Sequence, residues 1–103
     1  MARTYGDKFL LQLRDADPTR IGVRLARLCV DANLPAAYVA KVLETSRTTV
    51  YEWFRGQPMK ESNINRVDAF MHLITQDMET GRLPVKNLQE AKQYLSEMIG
   101  AQI

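Results

Sequence analysis

The chain has 103 residues and a formal net charge of +2, a length that supplies one modest core and no second independent one. With 46% apolar and 25% charged residues, and no stretch near the ~20 apolar residues of a membrane span, it reads as a globular chain outside the membrane. Its single cysteine, Cys29, excludes an internal disulfide, and its first residues lack the long apolar region and small-residue cleavage site of a secretory signal, so a reducing cytoplasm is the expected compartment.

Proline and glycine punctuate the chain and period-two β-branched runs are missing, which predicts an all-α fold: a compact bundle of about five helices in a single domain over 1–103. Residues 1–16 read as an N-terminal arm or short helix, with Phe9, Leu10 and Leu13 at helical spacing. Asp17 and Pro18 read as the cap and first residue of a helix that buries Ile21, Leu25, Leu28, Cys29 and Ala32 and ends near Asn33. Pro35 opens a short helix to about Leu43, buried through Val39, Ala40 and Leu43. After a turn at Glu44 and Thr45, Ser46 caps a further helix that Gly56 and Pro58 stop. The longest helix, from Glu61 to about Thr80, places Ile64, Val67, Phe70, Met71, Ile74 and Met78 on one face. Asn87 starts a last helix in a capping-box-like pattern, Asn-Leu-Gln-Glu, with Leu88, Ala91, Leu95, Met98 and Ile99 on one side; residues 82–103 form a C-terminal helical extension.

In the helix after Ser46, Val50, Trp53 and Phe54 sit at i, i+3 and i+4 and share a buried side. The other side carries Thr48, Tyr51, Glu52 and Arg55, with Arg47 and Thr49 in the first turn. Two adjacent threonines are mediocre helix formers, and an exposed tyrosine between two arginines has no packing reason. Hydroxyl, guanidinium and phenol are the donors that reach phosphate oxygens and base edges, although a polar helix face standing alone is most often a solvated one. Charge follows the same division. Residues 20–60 hold seven basic groups (Arg20, Arg24, Arg27, Lys41, Arg47, Arg55, Lys60) against Asp31, Glu44 and Glu52, whereas residues 61–103 hold four basic and six acidic groups. A basic middle and an acidic tail half suit one side facing a polyanion and one looking away; ordinary scatter of surface charge gives the same distribution.

From Ala36 to Gly56 the sequence AAYVAKVLETSRTTVYEWFRG, about a fifth of the chain, resembles the helix-turn-helix of the lambda-repressor-like family, the Cro and phage or plasmid repressors. Ala40 matches the small residue at which the two helices cross, Val39, Leu43, Val50 and Trp53 match the buried positions, and Ser46 to Val50 match the start of the recognition helix. Two positions depart: Glu44 stands where glycine is usual, and Ala36 where a polar residue, often a phosphate-binding glutamine, is common. The resemblance implies a recognition helix in the major groove with the preceding helix across the backbone. It puts base reading on Arg47, Thr48 and Glu52, with Tyr51 close by, and phosphate contacts on Lys41, Ser46, Thr49, Arg55 and Lys60, Ser46 serving chiefly as a cap.

The function so implied is a sequence-specific double-stranded DNA-binding transcriptional regulator or repressor of phage or bacterial kind, working as a homodimer joined through the helices after Gly56. The alternatives are a phage packaging or replication recogniser built on the same motif, and a protein-interaction module that has lost DNA binding, for example one contacting RNA polymerase. His72 is the only histidine and has no ligand partners at metal spacing, and Cys29 beside Leu25 reads as core filler. With no glycine-rich phosphate loop, paired carboxylates or triad, the sequence predicts no enzyme, no metal and no cofactor.

Overall fold

Six α-helices account for the regular structure of residues 4–103, the part of the chain described by the computed structural model: α1 Asp7–Arg14, α2 Ile21–Ala32, α3 Ala36–Val42, α4 Arg47–Phe54, α5 Glu61–Glu79 and α6 Leu88–Ile99. The fold is all-α among these residues, with one helix more than the five expected, because the segment read as an arm or short helix forms α1; residues 1–3 of that segment lie outside the described part.

The start of α2 differs from expectation. Asp17 does not cap it; its carboxylate accepts from the Thr19 N–H at 2.9 Å and the Thr19 hydroxyl at 2.7 Å, and Arg20 N donates to Asp17 O at 3.2 Å. Asp and Thr side chains compete with helix formation by closing such local turns, and Pro18 suits one equally well. The helix therefore begins at Ile21, with Arg20 as its extended N-cap.

The ends of α2 and α3 are built alike. Leu34 N reaches Cys29 O at 2.9 Å and Asn33 N reaches Val30 O at 3.1 Å, with Asn33 left-handed at φ 62°. Thr45 N reaches Ala40 O at 2.9 Å and Glu44 N reaches Lys41 O at 3.3 Å, with Glu44 left-handed at φ 56°. Both are Schellman closures that satisfy otherwise orphaned carbonyls. Asparagine tolerates this conformation, whereas glutamate carries a penalty of about 1 kcal/mol against glycine.

The core runs between α2 and everything around it. Val23, Leu25, Ala26, Cys29 and Ala32 of α2 are buried, and α2 packs on α4, α5 and α1, while α3 packs on α4 and α6. A methyl group on Gly22 would stand 2.0 Å from the Trp53 carbonyl oxygen, so α2 and α4 cross backbone to backbone. Ala40, the small residue expected at a crossing, is also buried. On α5 the expected face narrows to Val67, Phe70 and Ile74 as fully buried residues, with Ile64, Met71 and Met78 half-buried. On α6 Ala91 and Leu95 enter the core, whereas Leu88 and Ile99 remain 52% and 41% exposed.

The N-terminal end of the described chain and the loop before α6 are both tied to the C-terminal end of α2. Tyr5 Oη donates to Leu34 O, and the Thr4 hydroxyl to Asn33 Oδ1. From the far side, Asn33 Nδ2 donates to Val85 O at 3.0 Å and Val85 N to Ala32 O at 3.2 Å.

Candidate nucleic-acid interface

The local sequence of α4 decides which side chains it presents. Ser46 is extended and its Oγ accepts from Thr49 N at 3.1 Å, the expected N-cap. Val50, Trp53 and Phe54 fill the inner side at 0%, 4% and 1% exposure. At about 100° per residue this turns Thr48, Glu52 and Arg55 outward, and all three are exposed, as is Arg47 in the first turn. Beyond the helix, Arg55 N bonds the carbonyls of Tyr51 and Glu52, Gln57 N bonds Glu52 O at 3.1 Å, and Gly56 turns the chain away at φ 94°.

The remaining expected site residues come from the flanking elements. Lys41 is exposed in the last turn of α3, and Lys60 is exposed as the N-cap of α5. Among the described residues, Lys41, Arg47, Arg55 and Lys60 make no side-chain hydrogen bond or ion pair, in contrast to Arg66 and Arg82, which stand near Glu44 and Asp77. Thr49 is half-buried and its hydroxyl accepts from Ser46 Oγ at 2.9 Å, so the Ser46 proton is spent within the cap while the Thr49 hydroxyl keeps its own as a donor.

Tyr51 requires a correction. It is not an exposed tyrosine without a packing reason: it is half-buried, edge-on to Phe9 of α1 with ring centroids 5.7 Å apart, and edge-on to Phe54 at 5.6 Å. Phe9 is in turn stacked on Tyr5 at 5.2 Å, so an aromatic cluster ties α1 to α4. Phe9 was legible as an apolar residue, but its partner was not, because α1 and α4 lie far apart in sequence.

Sequence reasoning also passed over Arg20 and Arg66 as parts of this region. Arg20 lies beside the end of α4: a methyl on Gly56 would stand 3.7 Å from its Cγ, so an exposed guanidinium borders the exit of the helix. Arg66 on α5 donates from Nη1 to Leu43 O at 3.1 Å and stands 3.4 Å from Glu44 Oε2, bracing the turn between α3 and α4. Ala36, at the position where a polar residue is common, is buried at 2% exposure and offers no donor.

Chemically the region is mainly a donor surface, with guanidinium, ammonium and hydroxyl groups around two carboxylates, Glu52 and the Glu44 that Arg66 braces. Cys29 is fully buried and its thiol is pushed well above the ordinary range by desolvation. Among the described residues no three His, Cys, Asp or Glu side chains come together as metal ligands, and no helix is long and apolar enough to cross a membrane. Comparison with protein-family models, with curated proteins and with solved structures finds no match.

Proposed function

We propose that the protein is a sequence-specific double-stranded DNA-binding regulator in which α3, the turn at Glu44 and α4 act as a helix-turn-helix of the lambda-repressor-like kind. In this reading α4 enters the major groove, α3 spans the backbone, Arg47, Thr48 and Glu52 face base edges, and Lys41, Arg55 and Lys60 face phosphates. The observation that carries it is the set of four cations on and around α4 that have no internal anion, set about a helix whose apolar side is wholly engaged beneath. Lys8, Arg24, Lys86 and Lys92 also lack an ion pair among the described residues, so the support lies in the grouping of cations with exposed hydroxyls around one firmly seated helix. The left-handed turn at Glu44 supports the same reading, since it stands where the motif requires one.

One such module reads only a few base pairs, so useful specificity calls for two copies on half-sites about 34 Å apart. The domain measures 32 × 29 × 25 Å, a breadth that suits two copies side by side at that spacing. Leu88 and Ile99, exposed about three turns apart, are the large apolar residues that α6 offers for the contact, beside Leu73 on α5; Leu95 is committed to the core. Light scattering of Leu88→Glu and Ile99→Glu beside the unaltered protein tests the dimer.

The decisive experiment is selection of bound sequences from random duplexes at low salt. Enrichment of a short motif with two-fold symmetry is the expected result. No enrichment, together with no mobility shift of any duplex, removes the DNA-binding reading.

A further inference from the structure

Packing accounts for the ring of Tyr51 on α4, and neither packing nor base reading accounts for its hydroxyl. Its ring is wedged between Phe9 of α1 and Phe54 one turn ahead, both contacts edge-on with interplanar angles of 87° and 78°. Perpendicular ring pairs at these separations are favoured arrangements, so the phenol ring has little freedom to swing. Its hydroxyl, by contrast, has no partner among the described residues, while the cluster's other phenol, Tyr5, is buried and spends its hydroxyl on Leu34 O. Along α4, Tyr51 lies on the flank between the buried side, centred on Val50, and the outward side formed by Thr48, Glu52 and Arg55. A helix seated in a groove turns its outward side to the base edges and its flanks to the groove walls, which are the sugar-phosphate backbones.

We infer that Tyr51 donates its hydroxyl to a backbone phosphate on the groove wall, and that Phe9 is its positioning residue, which makes α1 part of the DNA-binding unit. The inference rests on the DNA-binding reading above and moves Tyr51 from the base-reading set to the phosphate-contacting set. An ordered ring delivers its hydroxyl without first losing rotational freedom, which is what Phe9 contributes. A neutral donor releases no counterion, so this contact has a signature that separates it from those of Arg55 and Lys60.

The test is a double-mutant cycle of Tyr51→Phe and Phe9→Leu, read by fluorescence anisotropy on the selected duplex and on its single-base variants across a salt series. Tyr51→Phe keeps every ring contact, so it decides the hydroxyl's role even where Phe9→Leu loosens the fold. The expected result is a roughly three- to tenfold loss of affinity for Tyr51→Phe, the size of one hydrogen bond. The loss is equal on all base variants, with the salt slope and melting temperature unchanged. Phe9→Leu is expected to lower affinity severalfold in the unaltered background and by less than about twofold when Tyr51→Phe is already present, which is the coupling a positioning role demands. Full affinity in Tyr51→Phe, a preference relaxed at one base position only, or equal losses from Phe9→Leu in both backgrounds would each overturn the inference while leaving DNA binding standing. Failure of the unaltered protein to bind any duplex overturns both.

Discussion

Arg66 reaches across from α5 to Glu44, its Nη1 3.4 Å from the carboxylate and 3.1 Å from the preceding carbonyl of Leu43. A single guanidinium thus braces both the side chain and the backbone of the one turn whose conformation sets how α4 leaves α3. The brace sits where the backbone is least comfortable, at a glutamate with φ 56°.

That relationship fixes the order of three variants at position 44. Glu44→Gly removes a left-handed penalty of about 1 kcal/mol and gives up an exposed ion pair of about 0–1 kcal/mol, for a net gain near 0.5 kcal/mol. Glu44→Ala gives up the pair, keeps the penalty, and loses up to about 1 kcal/mol. Urea unfolding of the three proteins should therefore rank glycine above glutamate above alanine; alanine equal to glycine would mean that the turn is not left-handed in solution.

Gly22 leads to a harsher outcome. A Cβ there meets the Trp53 carbonyl at 2.0 Å and its carbon at 2.5 Å, and backbone does not yield as a flexible side chain does. Gly22→Ala should cost at least about 2 kcal/mol by forcing α2 and α4 apart, despite alanine's better helix propensity. Thermal unfolding measures it, and a variant as stable as the parent would refute the close crossing.

What was readable in the chain divides by range. Ser46 and Asn87 were legible as caps because a cap is a contract between residues three apart, and both accept the expected backbone N–H. The helix ends at Asn33, Gly56 and Gly81 were legible for the same reason. Asp17 misled because its carboxylate serves a turn with Thr19 as readily as a helix start. Gly22, Phe9 and Arg66 carried no local signal of their roles: each acts on an element far along the chain, and only packing reveals the partner. On the candidate site, the exposure of Thr48, Glu52 and Arg55 followed from helical spacing and that of Arg47 from its place in the first turn, whereas the seat of Tyr51 depended on α1.

The cations of the site should separate by role. Arg47, in the first turn of α4, can form two parallel hydrogen bonds to one guanine, so Arg47→Ala should cost about 1–3 kcal/mol and relax preference at one base position per half-site. Arg55→Ala and Lys60→Ala should weaken all sequences alike and flatten the salt dependence by about one unit for each lost phosphate contact. Anisotropy titrations on the selected site and its single-base variants distinguish the two patterns; uniform weakening by Arg47→Ala would make Arg47 a phosphate contact.

Alkaline pH should loosen the fold. Burial pushes the Cys29 thiol and the phenols of Tyr5 and Tyr94 above their ordinary values, with a hydrogen bond to Asp77 adding to the effect at Tyr94. Groups raised on folding keep their protons longer in the native state than in the unfolded one. Their contribution is therefore intact below the unfolded values and declines as pH climbs past about 8.5 for the thiol and about 10 for the phenols. Melting temperature should fall progressively from about pH 8.5 toward 11, and Cys29→Ala should move the onset of the decline upward toward the tyrosine range.

Asn33 gathers three parts of the chain at one residue: Thr4 on its carboxamide oxygen, Val85 on its carboxamide nitrogen, and its own left-handed backbone closing α2. Val85 follows it by 52 residues. A polypeptide leaving the ribosome at ~5–20 residues per second exposes Asn33 seconds before Val85 emerges to meet it. For that interval the junction of α2 and α3 lacks its partner from beyond α5, leaving a seam beside Ala32 that closes only once Val85 has emerged.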